Sequence, residues 1–462
     1  MARENSATSN GTKRIGRREF LAGSSTAGVA LAAGCAGTGG NGNGGEGETG
    51  NGNGNGGGGE TGNGDSNGGG EGVEEITVMM ENVYDTTIIQ NMIDDFESDA
   101  DFSVTIEAFP YGTMNETITT QLRSSSSNYD VIIVDNPWVG NFVEGELIQP
   151  LDERIENSDS ISTDVYVDSM WNTVGAVDGT AYMLPFYNYG LSMLYREDIA
   201  EEHGVEVPDD GMEMADYLEA CAQITEDTGD DFYGAAMQAQ RGYKITEEWT
   251  NYLYAEDGAI LDGGNVVLGE DDSAVSALDN YIENLDTGAP DAAEGWGFNQ
   301  ARQLMQNGNA FSMITYNWML GRLSDTEVGD NLAIAEVPGS KSVLGAWGWA
   351  IPSNLSEARS NAAWEFLEWV ESPETRKARC MEGGSPTSTD TLSDDELLNE
   401  FPEYYPVVEG ILSDAEPLPS IVGGNEMIQT VGTQLSQAVA GNKSSQQAIT
   451  DATSQLQDIA GN

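Results

Sequence analysis

An α/β fold on a parallel sheet is what the chain predicts, and three observations carry the prediction. Ile76-Thr77-Val78-Met79-Met80 is a short apolar run, followed by Ile88, Ile89, Met92, Ile93 and Phe96 on one face of a helix. Val104 to Phe109 alternates as a strand, and Met114, Ile118 and Leu122 mark a second helical face. Val131-Ile132-Ile133-Val134 then runs unbroken between Asp130 and Asp135. Apolar periodicity that switches between two and 3.6 residues is the pattern of strand–helix–strand units. A strand apolar at every position is one covered on both faces.

In such sheets ligands gather beyond the carboxyl ends of the strands. Glu81-Asn82, Pro110-Tyr111 and Asp135-Asn136-Pro137-Trp138 all stand at such ends. A second region follows Tyr182. Met193 to Tyr195 reads as a strand entering a helix at Arg196–His203, and another helical segment runs from Pro208-Gly211 through Ile224. Asp262-Gly263-Gly264-Asn265 is a turn, and Val275, Leu278, Ile282 and Leu285 share a helical face. Then come a helix at Ala301–Gln306, a strand at Ala310–Ile314, the aromatic loop Tyr316-Asn317-Trp318 and a strand at Ala346–Ile351. Asn354 with Glu357 three residues on has the form of a capping pair. The helix it opens places Ala363, Phe366, Leu367 and Val370 inward, with Trp364 and Trp369 as core residues. Val431, Leu435 and Val439 mark a last helix.

The amino terminus sets an address. Arg17-Arg18-Glu19-Phe20-Leu21 reads as a twin-arginine export signal, and the small-residue run to Gly34 is too short to span a bilayer. It ends at Cys35, which resembles a lipoprotein processing site although Ala32 stands where a large aliphatic is usual. Lipid on Cys35 would anchor the chain to a membrane. Twenty of the 37 residues from Ala36 to Gly72 are glycine, so this stretch is expected to be a disordered linker spanning about 30–36 Å.

Without residues 1–34 the chain carries 13 basic and 76 acidic side chains, a net charge of −63. The acids are spread among apolar residues, which fits a folded surface working in molar salt, where the screening length is about 3 Å. A halophilic source explains it. Nucleic acid is excluded as a partner for want of any basic patch. His203 is the sole histidine and sits at a helix C-terminus, where a cation is favourable, so histidine-based metal sites and catalytic triads are not expected. Cys221 and Cys380 fall on predicted helices and read as buried thiols rather than a bridge. No cofactor is implied.

Seven segments in order resemble an extracellular solute-binding protein of carbohydrate ABC importers, the family of maltose- and polyol-binding proteins. They are Tyr129–Asp135, Gly145–Leu151, Leu184–Gly190, Leu194–Asp198, Gln303–Met313, Gly345–Ile351 and the Ala362–Val370 helix ending near Ser372-Pro373-Glu374. The resemblance covers residues 73–462 and implies two α/β lobes joined by a multi-pass hinge, closing over a solute in the cleft. Crossovers are then expected near Phe186–Gly190, Met313–Tyr316 and Ile351–Asn354, with one lobe of 73–186 plus 315–352 and the other of 187–314 plus 353–462. It also implies ABC permease subunits as partners, a monomeric receptor and no enzymatic activity.

A carbohydrate offers hydroxyls that donate and accept, plus apolar ring faces, so its site pairs planar aromatics with carboxylates and amides. Candidates of those types at loops and strand ends are Glu81, Asn82, Tyr84, Tyr111, Asp135, Trp138, Tyr187, Asn188, Trp296, Asn317, Trp318, Trp347 and Trp349. Arg241 joins them because cations are scarce, with a surface ion pair as its alternative. Trp347 and Trp349 share one face of their strand, and core packing is the alternative for both. Competing readings are the same fold around a polyamine, glycerol-phosphate or chelate, and an anchored glycosidase with two carboxylates across a cleft.

Overall fold

The computed structural model describes residues 72–124, 127–229, 231–324 and 326–461. The export signal, Cys35 and the glycine-rich linker lie outside the described residues.

Nine strands form two sheets. Their ranges are β1 (Glu75–Glu81), β2 (Ser103–Phe109), β3 (Val131–Asp135), β4 (Leu184–Asn188), β5 (Leu191–Arg196), β6 (Tyr233–Ala235), β7 (Ala310–Tyr316), β8 (Leu332–Ala335) and β9 (Ala346–Ala350). The first sheet has the order β2-β1-β3-β9-β4, and the second β8-β5-β7-β6. β1 runs parallel to both β2 and β3, while β9 is antiparallel to β3 and β4. The α/β expectation therefore holds, with antiparallel strands added to a parallel start. The sheets have separate cores and make two lobes.

Helices cover the first sheet as the periodicity predicts. α1 (Tyr84–Glu97) buries Ile88, Ile89 and Phe96, and α2 (Tyr111–Leu122) buries Met114, Ile118 and Leu122. In the second lobe α3 (Glu197–His203) ends on Gly204 in the left-handed region, and α4 (Met214–Thr228), α5 (Tyr243–Ala255), α6 (Ser273–Gly288) and α7 (Phe298–Gln306) follow. His203 lies 3.5 Å from Asp227 at the end of α3. Cys221 and Cys380 are both buried and free. No helix among the described residues is long and apolar enough to cross a membrane.

The expected lobe boundaries need correcting in two places. Met313–Tyr316 is not a crossover: β7 continues to Tyr316, the chain stays with its lobe through β8, and β8 pairs with β5. Nor does the chain leave the first lobe at Ile351–Asn354. The next helix, α8 (Glu357–Val370), docks on the first sheet because Arg359 forms a 2.5 Å ion pair with fully buried Asp130, whose carboxylate also accepts the Thr77 amide at 2.8 Å. Phe366 of α8 packs edge-on against Trp349 of β9 and against Phe96 of α1. The cap of α8 is Ser356, accepting from Arg359, while Asn354 donates to the carbonyls of Gln121, Leu122 and Ser124 at the end of α2. The core of the first lobe extends to Ala415. Only then do α9 (Gly424–Val439) and α10 (Ser445–Ala460) close the second lobe, burying Val431 and Leu435.

Three passes thus join the lobes, at 189–190, 336–345 and 415–418. Two of them pair with each other, Val343-Leu344 lying parallel to Glu416-Pro417. Buried amides bind the passes together. Asn317 donates to the Asn188 side chain, Asn188 donates to the Pro386 carbonyl, and Tyr404 donates to Asn317. Ser342 donates to the Leu191 carbonyl, and the Val343 amide to Asn251. Desolvated polar groups hold their place only while bonded to one another, so this network fixes the hinge geometry.

Candidate functional site

A cavity of about 610 Å³ opens between the lobes. Its first-lobe side is built from strand ends. Glu81 closes β1, Asp135 closes β3 and Trp347 stands near the start of antiparallel β9, so three neighbouring strands present side chains at one sheet edge. Tyr111, the first residue of α2, donates to Asp135 at 2.8 Å. It stacks on Trp138 at 5.5 Å and meets Trp347 edge-on at 6.0 Å. Asn82, Tyr84 and Asp85 complete this side.

The second-lobe side comes from helix starts. Gly242, at φ 97°, turns the chain into α5, and a Cβ there would meet the Gln429 side chain at 2.4 Å. The turn sets Tyr243, Lys244 and Glu247 on the cavity, beside Phe298, Asn299 and Arg302 of α7, Tyr316, Trp318 and Arg322. Lys244 pairs with Glu247 at 2.7 Å and donates to the Tyr316 hydroxyl, which in turn donates to Glu247 at 3.1 Å. The ammonium also lies 4.9 Å from the Tyr316 ring centre and 5.3 Å from that of Tyr243. Tyr111 and Tyr243 face each other across the lobes at 6.2 Å.

Burial governs the carboxylates. It pushes Glu81 up to about 7, with Asp85 adding to the shift and the Tyr187 hydrogen bond and Lys244 opposing it. Burial also holds Asp135 well above the usual carboxylate range, against the Tyr111 hydrogen bond and with the help of Glu81. Asp85 is raised to about 6, again by burial, with the Ser385 amide and Arg379 opposing. The first-lobe wall is therefore a set of hydrogen-bonding carboxyls carrying less than their formal charge near neutrality.

Seven of the fourteen sequence candidates line the cavity: Glu81, Asn82, Tyr84, Tyr111, Asp135, Trp318 and Trp347. Two stand immediately behind it. Trp138 supports Tyr111, and buried Tyr187 donates to Glu81 at 3.2 Å. Asn188 and Asn317 belong to the hinge network. Trp349 lies in the first core, two residues deeper along β9 than Trp347, packed on Phe186 at 4.1 Å and donating to buried Glu371 at 3.0 Å. Trp296 packs against the second core, and exposed Arg241 donates to Thr433 at 3.4 Å. Among the lining residues that sequence reasoning missed are Tyr189, Tyr243, Lys244, Glu247, Phe298 and Tyr316. The scarcity argument applied to Arg241 fits Lys244, one of five lysines in the chain, equally well.

The family profile of bacterial extracellular solute-binding proteins matches residues 91–405. A probable amino-acid ABC transporter periplasmic-binding protein of Sinorhizobium fredii is 23% identical over 47% of this chain, an alignment spanning about half (51%) of that relative. A mannitol-binding protein of Pseudomonas aeruginosa is 22% identical over 82% of this chain and 91% of its own length. Among solved structures, an ABC transporter solute-binding protein of Thermotoga lettingae bound to α-D-tagatose superposes with a TM-score of 0.74. It is 21% identical, over 85% of this chain and all of the other, which establishes a common fold. With two lobes, three connecting passes and the profile spanning most of the folded region, the chain belongs to the bacterial extracellular solute-binding protein family.

Proposed function

We propose that this protein is a membrane-tethered receptor that captures a sugar, oligosaccharide or polyol and hands it, chemically unchanged, to an ABC importer. The observation that carries the reading is the cavity itself. Rings from both lobes line it together with carboxyls and amides, the combination that polyhydroxylated solutes need. The mannitol and tagatose binding of the relatives supports the same class. Ligand touching Glu81 and Asp135 in one lobe and Tyr243 and Tyr316 in the other would bias the lobes toward closure. Export through the twin-arginine route, lipid on Cys35 and the glycine-rich tether would keep the receptor beside its permease at the outer face of the membrane. The acidic surface suits this to molar salt.

The test is a titration of purified protein with mannitol, sorbitol, tagatose, maltose and arabino-oligosaccharides in molar KCl, following tryptophan emission. Saturable change with every sugar recovered intact is expected, since Trp318 and Trp347 line the cavity. A protein that turns its sugar over, or binds none of the panel, refutes the proposal.

A further inference from the structure

The two walls of the cavity differ in hydrogen-bonding character. Of the first-lobe ionisable groups, Glu81, Asp85 and Asp135 are carboxyls, and among the described residues no Lys or Arg of that lobe lines the cavity. The second-lobe wall carries groups that can only donate: the Lys244 ammonium, the Arg302 and Arg322 guanidiniums and the Trp318 indole N–H. Glu247 already balances Lys244. Arg302 has only the neutral Gln306 amide, at 3.1 Å, and neither Arg302 nor Arg322 makes an ion pair among the described residues. The Trp318 Nε1 is buried without an acceptor among the described residues. In a chain whose acids outnumber its bases by 78 to 18, two cavity arginines with no ion pair among the described residues stand against the composition.

Hydroxyl donors fit the first wall and an acceptor-only group fits the second. We infer that the solute is a polyhydroxy acid, a sugar or polyol chain ending in a carboxylate, with that carboxylate held by Arg302 and Arg322. A guanidinium–carboxylate contact inside a cavity is screened by salt less than one on the open surface.

The inference rests on the receptor reading above, and matched pairs separate the two. Calorimetry in 2 M KCl with sorbitol against gluconate, mannitol against mannonate and galactose against galacturonate compares guests that differ at one carbon. At least one acid should bind about tenfold tighter than its neutral partner. In an Arg302→Gln/Arg322→Gln protein that ratio should fall to near one, with the circular dichroism spectrum unchanged. Neutral members binding as well as or better than their acids overturns the inference and leaves the receptor reading standing. The same ratio in the double variant overturns the assignment to these arginines. No binding of any member removes both.

Discussion

Glu81 gives the sharpest handle on the cavity. Its carboxyl is raised to about 7, chiefly by burial, so in the empty site about a tenth is ionised at pH 6 and about nine-tenths at pH 8. A solute hydroxyl donating to this oxygen pair prefers the ionised form, since hydrogen bonds to a charged acceptor are the stronger kind. Binding coupled to that ionisation should tighten by nearly tenfold between pH 6 and 8, about 1.4 kcal/mol. Asp85, raised to about 6, adds to the slope at its acid end. The assay is the dissociation constant of the best solute by tryptophan fluorescence at fixed KCl. In Glu81→Gln most of the rise above pH 6.5 should vanish, with affinity lowered at pH 8. A pH-independent wild type, or an unchanged slope in the variant, would refute the argument that Glu81 meets the solute.

Glu248, buried in the second core and accepting from the Gln238 amide at 2.7 Å and Tyr281 at 2.8 Å, is raised to about 8 by burial. The folded state therefore keeps a proton that the unfolded chain releases above 4.5, so stability contributed by this group declines as pH rises from there to 8. Glu248→Gln should flatten that decline in thermal melts between pH 5 and 8; an equal slope would count against it. Trp349→Ala should cost about 3–5 kcal/mol in guanidinium unfolding, because it empties a core position beside Phe186 and Phe366 and removes one donor from Glu371, whereas Trp347→Ala, equally buried but bordering the cavity, should lower stability and weaken solute binding together. Burial pushes the thiols of Cys221 and Cys380 up to about 12 and about 11, so neither should react with a disulfide reagent until the chain is unfolded. Rapid native labelling of either would contradict their placement.

Local pattern sufficed wherever a segment's partners were themselves local. The first three strands and two helices sit within a few residues of their expected bounds, and Met114, Ile118 and Leu122 are the buried side chains of α2. Lobe membership was not legible in the same way. α8 reads identically whether it packs on one sheet or the other; what commits it is the Arg359–Asp130 pair, a contact between positions 229 residues apart. Asn354 shows the same limit at a smaller scale. Its spacing to Glu357 matches a cap, yet it serves a different helix, and Ser356 two residues on caps α8.

The cavity was half legible, and the half follows the architecture. A strand end in a parallel sheet is a marked position, so Glu81 and Asp135 could be found from the sheet alone. Residue type then stops discriminating. Trp347 and Trp349 sit two apart on one strand and both are buried in the first core; Trp347 also borders the cavity, while Phe366 and Glu371 cover Trp349. Asn188 and Asn317 have the chemistry of sugar ligands, but a buried hinge needs the same amides. The second wall hangs on helix starts whose direction a single backbone angle decides. Arg241 and Lys244 are three residues apart and both belong to the chain's scarce cations; Gly242 between them, at φ 97°, sends one to the surface and the other into the cavity. A residue with a Cβ at 242 would collide with Gln429 as well as strain the turn. Gly242→Ala should therefore displace Tyr243 and Lys244 together and weaken solute binding without any change to a side chain that touches it.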